Sequence, residues 1–369
     1  MNVTGKWTTQ DDLDLIGRAG QCQIRLSDDY ELDARVRSLR KVSSLILDNG
    51  VEISISAQDE PLSAGDSKGN ICRIQAEGYH LHFILGAEVR QKILRKQALG
   101  VDESTLQRLV TAWAVFAFFF QGSNTNVSFY FDFSDLAQHS GPCVAFCSNR
   151  KDDCLIPDPF FLVDYGYLSM KRKLENPLPW RSRSASLFWR GGTTGLGKFS
   201  NTDRYYYLKQ LAERAAGLPL DIGFSRITTR AAKTMTQHDK ATLENRDLIK
   251  DPVEKEAFAK KRYLLDIDGN SNSWGGLYTS LLTGSAVIKC SSRSGFRQWY
   301  YDRLQSSHNC FILDSHLENI DQLVELMHDD DIAESIARNG RKLAQSMEML
   351  DELADSKTKF WRWLGKFGS

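Results

Sequence analysis

The chain has 369 residues, enough for two packed domains of ordinary size rather than one. Apolar residues at 41% and charged residues at 25% sit near the averages for soluble globular proteins, so each half can bury a core and disorder is not the default. Its 47 basic residues balance 47 acidic ones, which argues against nucleic acid as the main partner, because neutralising phosphates needs a basic surplus.

The opening stretch has no apolar h-region. The longest apolar run, Ala112 to Phe120, is far shorter than the ~20 residues of a spanning helix. The expectation is a cytoplasmic protein that does not cross a membrane. Seven cysteines are an odd number without a paired framework, so they read as free thiols of a reducing compartment. Cys143, Cys147 and Cys154 are close in sequence but lack C-x-x-C spacing, and His139 is an awkward fourth ligand; no metal and no cofactor are expected.

In chain order, Val51–Ala57 and Tyr79–Ile84 alternate apolar and polar residues, the period of a strand with one buried face. Asn49-Gly50 before the first of them is a strong hairpin turn. Residues 42–85 therefore read as a small antiparallel meander, with His80 and His82 as surface or packing residues. Helices follow over about 87–99 and 103–121. The second starts at a capping signal, Asp102 and Ser104, and its stripe of Leu109, Trp113, Phe116 and Phe120 reads as core. Short strands come next at Val127–Phe133 and Val144–Cys147, with a further β segment from Leu155. Then strand and helix alternate. Ala185–Trp189 precedes a helix over 203–216, and Tyr263–Ile267 precedes one over 274–283. Ser285–Lys289 and Phe311–Leu313 are further strands, the last followed by a helix presenting Leu317, Ile320, Leu323, Val324 and Met327. This alternation implies a parallel, doubly wound sheet between residues 180 and 345.

Two segments have the make-up of an anion site. In the first, a strand ends in Arg190-Gly191-Gly192-Thr193-Thr194, a layout in which backbone N–H groups cradle phosphate, with Arg190 and Arg204 as charge partners. The same glycines could merely form a turn. Gly192-x4-Gly197-Lys198 fits most of a Walker A loop, but Phe199 stands where Ser or Thr should hold Mg²⁺. In the second, Asp268, Gly269, Asn270, Ser271, Asn272, Ser273 and Trp274 join a strand to a helix, leaving that helix's first amides open to an anion. The connection lies at the carboxyl end of a parallel strand, where doubly wound sheets bind ligands, and Lys289 closes the next strand. Asp266-x-Asp268 also spells a D-x-D metal pair, or simply a turn at Asp268-Gly269.

The order of Trp-Arg-Gly-Gly-Thr-Thr-Gly, Asp-Ile-Gly-Phe-Ser, Tyr-Leu-Leu-Asp-Ile-Asp-Gly-Asn-Ser-Asn-Ser-Trp and Leu-Leu-Thr-Gly-Ser-Ala-Val-Ile-Lys resembles glycosyltransferase family 90, the CAP10-like and protein O-glucosyltransferase-like proteins. The aromatic Trp299-Tyr300-Tyr301 follows as in that family. The resemblance runs from Asn126 to Leu343 and is closest to the bacterial branch that modifies lipopolysaccharide or capsule. It implies an α/β, GT-B-like fold of two Rossmann-like domains facing a cleft. The first would be an acceptor-side domain over 1–175 and the second a nucleotide-sugar domain over 176–345, with a C-terminal helix over 346–369 packing back on the first. It also implies inverting transfer from a UDP-sugar to a glycan or lipid-linked glycan acceptor, without a metal. The base it implies is an aspartate of the first domain, Asp135, with Asp132 as the alternative. The family's arginine near Trp274 is missing here, so Arg190, Arg204 or Lys289 must supply its charge. Two other classes stay open: a P-loop kinase or NTPase using Lys198, and a non-catalytic nucleotide- or carbohydrate-binding protein. The basic and aromatic segment 357–367 either rests on an anionic membrane surface or packs inward.

Overall fold

The computed structural model describes residues 24–26, 52–57, 62, 70–89, 104–215 and 217–368. The chain forms two compact units: Met1–Phe146 with Lys151–Val163 and Leu350–Ser369, and Cys147–Arg150 with Asp164–Met349.

The first unit is built on a seven-stranded sheet. Its strands are β1 (Ile24–Leu26), β2 (Glu52–Ala57), β3 (Ile71–Gly78), β4 (His80–Leu85), β5 (Thr125–Asp132), β6 (Val144–Ala145) and β7 (Cys154–Leu155), in the spatial order β1-β2-β4-β3-β5-β6-β7. β3 is antiparallel to both neighbours and every other pairing is parallel. This corrects the expected meander. Asn49 and Gly50 lie outside the described residues, and β2 runs parallel to β4 with Ile53 opposite Leu81. The tight hairpin of this segment is β3–β4, turning at Gly78, whose φ of 62° suits glycine. The helix expected over 87–99 lies outside the described residues from 90 onward.

Helix α1 (Ser104–Phe120) lays its expected stripe into the core. Leu109, Trp113, Phe116 and Phe120 are each fully buried, as are Ile74 and Phe83 of the sheet. Trp113 meets Phe83 edge-on at 5.8 Å, and Phe116 lies 5.2 Å from Phe129 and 5.3 Å from Phe131. Each such ring contributes about 1.5–3 kcal/mol through burial. A second helix, α2 (Pro159–Val163), follows β7.

The second unit begins with α3 (Leu168–Lys173) and is organised by a five-stranded parallel sheet. In chain order its elements are β8 (Ser184–Gly192), α4 (Asp203–Arg214), β9 (Leu220–Arg226), α5 (Thr229–Thr234), α6 (Gln237–Asn245), β10 (Lys261–Asp266), α7 (Gly275–Leu282), β11 (Ala286–Cys290), β12 (Phe311–Leu313), α8 (Ile320–His328) and α9 (Asp330–Ser346). The spatial order is β9-β8-β10-β11-β12, and a single parallel bridge from Phe224 to Ile249 adds one more chain segment outside β9. Counted in chain order with that segment as third, the sheet runs 3-2-1-4-5-6, the Rossmann order. The order reverses between β8 and β10, and there the carboxyl ends open a crevice. Leu187, Tyr263, Ile288 and Leu313 join Tyr207, Leu211 and Leu323 in one buried cluster beneath it.

The last helix, α10 (Met349–Phe367), returns the chain to the first unit. Phe360 is fully buried, 5.1 Å from both Phe119 and Phe129, and the Trp363 indole donates to the Asp152 carbonyl at 2.7 Å. Phe360 and Trp363 of 357–367 are thus buried and Trp361 and Phe367 partly so, while Lys359, Arg362 and Lys366 are exposed. No helix among the described residues is long and apolar enough to cross a membrane.

Candidate functional site at the carboxyl edge of the parallel sheet

β8 delivers the first site segment. Gly191 has no room for a side chain, since a Cβ there would lie 2.6 Å from the Trp189 ring. The Arg190 guanidinium is turned along the sheet: it donates to Asp221 Oδ1 at 2.5 Å and to the Trp189 and Asp221 carbonyls, and it stacks on Phe188 at 4.8 Å. Lys261 holds the other Asp221 oxygen at 2.8 Å. Burial raises the Asp221 carboxyl, but the hydrogen bonds from Lys261 and Arg190 outweigh it and hold the group below its ordinary value. Arg190, expected as a phosphate partner, is therefore already engaged by a carboxylate.

Arg204 takes the position that Arg190 does not. It projects from the first turn of α4, which Thr202 caps by accepting from the Tyr205 amide at 3.3 Å. Its guanidinium donates to the Gly192 carbonyl at 2.8 Å and to the Thr194 hydroxyl, and it lies 5.5 Å from the Trp189 ring. A Cβ on Gly269 would sit 3.2 Å from it, so the arginine spans the ends of both β8 and β10. Burial brings its pKa down to about 10, against the pull of Asp266 and Asp268. Thr193 is buried, its amide donating to the Arg226 carbonyl at 3.0 Å and its hydroxyl accepting from the Thr228 amide at 2.8 Å.

At the end of β10 the two carboxylates of the D-x-D grip a side chain of the next strand. Lys289 Nζ lies 2.9 Å from Asp266 and 2.6 Å from Asp268, with all three side chains at 5% exposure or less. Burial alone would push the lysine down, and attraction to the two carboxylates overrides this and raises it. Burial lifts Asp268 to about 6, against the pull of Lys289 and with help from Asp266. Lys289 was expected to face the ligand; its ammonium instead sits between the aspartates. Among the described residues no group of three or more His, Cys, Asp or Glu is arranged for a metal ion.

The loop after Asp268 closes partly on itself, so some of the amides expected to stand open are taken within it. Gly269 N–H donates to the Asn272 carbonyl at 3.2 Å, and Trp274 N–H to Asn272 Oδ1 at 2.5 Å. Gly276 N–H is taken by the Ser273 carbonyl at 2.8 Å and Leu277 N–H by the Ser273 hydroxyl at 3.1 Å. Asn272 and Ser273 are short polar side chains that compete for nearby amides, so they cap the helix that they were expected to leave open. Trp274 adopts φ 50° and ψ −126°, a conformation that costs a non-glycine residue about 1–3 kcal/mol. Among the described residues, none partners three buried atoms here: Asp268 Oδ2, Ser271 Oγ and Asn272 Nδ2. An unmet buried group of this kind costs about 1–3 kcal/mol.

Two cavities lie at this edge. One of about 160 Å³ is lined by Trp189, Arg190, Arg204, Asp266, Ser273 and Thr279 among others. The second, of about 40 Å³, is lined by Asp203, Asp268, Asn270, Ser271, Ser292 and Phe296 with their neighbours. Lys289 thus joins one carboxylate from each cavity wall. Burial raises the Asp203 carboxyl, while the Arg293 amide and side chain lower it.

The Walker-like reading does not match the chain path. Lys198 is exposed, a short 3-10 turn at Phe199–Asn201 follows it, and α4 starts only at Asp203. Gly195 packs against the Thr202 side chain instead of standing open to a ligand.

The two aspartates of the first unit differ sharply. Asp132, at the end of β5, is fully buried and accepts from the amides of Ser134 at 2.9 Å, Gln138 at 2.5 Å and His139 at 3.0 Å. Burial raises its carboxyl, and those hydrogen bonds pull it back only in part. Asp135 is 38% exposed at its side chain and pairs with Arg108 at 2.6 Å. Asp132 pins the loop; Asp135 reaches solvent.

Sequence reasoning missed Arg226. It ends β9, one residue beyond the Asp-Ile-Gly-Phe-Ser motif, and its exposed side chain passes beside Gly192. The available signal was its place at the carboxyl end of a parallel strand.

No protein-family model matches this chain, and no curated protein matches it. Solved structures similar to it include the C-terminal domain of a group 1 family glycosyl transferase (LpcC) from Francisella tularensis, 12% identical, covering 48% of this chain and 91% of that one, with a TM-score of 0.32. TarM is 12% identical, with 49% of this chain and 38% of TarM covered and a TM-score of 0.34. Anabaena Alr3699/HepE in complex with UDP-glucose is 9% identical, with 95% and 81% covered and a TM-score of 0.34. At such identities and scores, what this chain does has to be read from its own residues.

Proposed function

We propose that this protein is a glycosyltransferase that moves a sugar from a UDP-sugar to a hydroxyl of a glycan acceptor. The observation that carries the reading is the convergence, at the reversal point between β8 and β10, of Arg204, the glycine–threonine turn and a cavity that both line or border. A diphosphate needs fixed cationic donors at such an edge. Arg204 and Arg226 supply them, since Arg190 and Lys289 are held by carboxylates. The order of the family 90-like motifs along the chain supports the same reading, and with it a surface polysaccharide or lipid-linked glycan as acceptor.

The reaction is a single displacement. An acceptor oxygen attacks the anomeric carbon, the bond from that carbon to the diphosphate oxygen breaks, and the configuration inverts. Asp135 takes the acceptor proton, a contribution of roughly 10²–10⁴-fold for a positioned base. Arg204 and Arg226 meet the charge growing on the departing UDP. The transfer is metal-independent in this scheme, because the Lys289 ammonium fills the position between Asp266 and Asp268 that a divalent ion would need.

Thermal stabilisation by UDP, GDP, ADP and ATP, each with and without EDTA, tests the reading. UDP should raise the melting temperature and keep doing so in EDTA. Stabilisation by Mg-ATP alone would overturn it.

A further inference from the structure

The chain as a whole is neutral, yet one part of the sheet's carboxyl edge carries charge of a single sign. From Arg190 to Thr202 and from Ile222 to His238 there is no acidic residue, and Lys198, Arg226, Arg230 and Lys233 fall inside these stretches. All four side chains are exposed, and none has an ion-pair or hydrogen-bond partner among the described residues. The carboxylates that flank the two stretches are engaged elsewhere. Asp203 accepts from the Arg293 amide at 3.2 Å, Asp221 holds Arg190 and Lys261, and Asp239 caps α6 by accepting from the Thr236 amide at 2.8 Å.

Backbone hydrogen bonds bring these cations to one rim. Thr193 N–H donates to the Arg226 carbonyl at 3.0 Å, and Thr228 N–H to the Thr193 hydroxyl at 2.8 Å. Further along, Phe199 N–H donates to the Thr234 hydroxyl at 3.0 Å, which sets Lys198 beside the turn of α5 that carries Arg230 and Lys233. Arg226 stands at the inner end, beside Gly192 and close enough for its charge to act on Arg204. Unbalanced like charges repel one another and concentrate anions at the surface that carries them. Arg204 and Arg226 already match the two phosphates of the donor, so the outer three cations await a further anion.

We infer that Lys198, Arg230 and Lys233 form a second anion site at the outer rim of the donor position, and that a substrate brings it a phosphate or carboxylate group beyond the donor's diphosphate. That group belongs either to the acceptor or to the transferred sugar. The inference rests on the nucleotide-sugar reading above and adds that one of the two substrates is itself acidic.

The triple variant Lys198→Gln, Arg230→Gln, Lys233→Gln breaks no ion pair or hydrogen bond among the described residues, and its melting temperature should match wild type. Calorimetric titration of pyrophosphate into UDP-saturated protein reads the rim alone, because the donor position is filled. Wild type should bind pyrophosphate, the triple variant about tenfold more weakly, and UDP itself should bind both proteins alike. UDP-glucuronate and UDP-glucose separate the two sources. If the transferred sugar carries the group, UDP-glucuronate binds wild type more tightly than UDP-glucose and loses that advantage in the variant. If the acceptor carries it, the two donors bind alike and the pyrophosphate difference remains. Absence of pyrophosphate binding to UDP-saturated wild type, or equal binding by the triple variant, would overturn the inference alone. Failure of UDP to bind wild type would overturn the donor reading instead; pyrophosphate titrated into the ligand-free proteins then decides the rim by the same difference.

Discussion

Lys289 donates to Asp268 at 2.6 Å from the adjacent parallel strand, and neither side chain reaches solvent. With Asp266 at 2.9 Å the lysine bridges a carboxylate pair that in sequence looks like a metal site. The bridge joins the ends of β10 and β11 at the place where the sheet offers its ligand edge.

Removing the cation should therefore damage the fold before it damages any reaction. Lys289→Met strands two buried carboxylates, and breaking a buried pair in this way costs about 3–5 kcal/mol. Urea unfolding should show the loss in the absence of any ligand. A variant with wild-type stability would mean that the carboxylates have another partner.

Acid should act on Asp268 in an unusual direction. Burial places it at about 6, above the ordinary ~3.9 of an aspartate. Between those values the folded state holds a proton that the unfolded chain has released. Its stabilising contribution is thus full below about pH 4 and is lost as pH rises through 6. Wild type measured against Asp268→Asn should lose relative stability across that window. Parallel stability curves would contradict the assignment.

The two aspartates of the first unit should separate cleanly. Asp132→Ala leaves three backbone amides without an acceptor and should lower stability by about 2–4 kcal/mol. Asp135→Asn should keep the melting temperature and UDP affinity near wild type while cutting transfer by at least 10²-fold. Retained turnover in Asp135→Asn would remove it as the base.

Gly195 offers a test of what the glycine-rich turn is for. A Cβ there collides with the Thr202 side chain that caps α4. Gly195→Ala should destabilise the ligand-free protein by about 1–3 kcal/mol, the usual cost of overpacking. A turn whose glycines served phosphate alone would leave the free protein's melting temperature unchanged.

The second unit was legible because its signals are local. Apolar runs at Leu187–Trp189, Tyr263–Leu265 and Ala286–Ile288, each followed by glycines or small polar residues, identify parallel strands and the loops at their carboxyl ends. Pairing is not local, and there the sequence misled. The alternation of β2 and β4 is visible, but nothing in either says that they lie parallel with β3 excluded from between them. The site shows the same division. The segments around Arg190 and Asp268 were found, yet the direction of each charge depends on residues far away in sequence. Asp221 turns Arg190 along the sheet and Lys289 closes the aspartate pair, while Asn272 and Ser273 use some of the amides that were expected to face a ligand.

The helix α10 sets an order of events during synthesis. Phe360 fills the core formed by Phe116, Phe119 and Phe129, more than 200 residues earlier in the chain. The residues that begin the first unit emerge from the ribosome long before the ring that completes it. The second unit, unbroken from Asp164 to Met349 with the short earlier piece Cys147–Arg150, can fold in the interval. Until α10 emerges, the aromatic face of α1 stays uncovered, and a nascent chain stalled before it offers chaperones a ready apolar surface. Loss of the segment after Met349 would accordingly be felt as misfolding of the part of the protein made first.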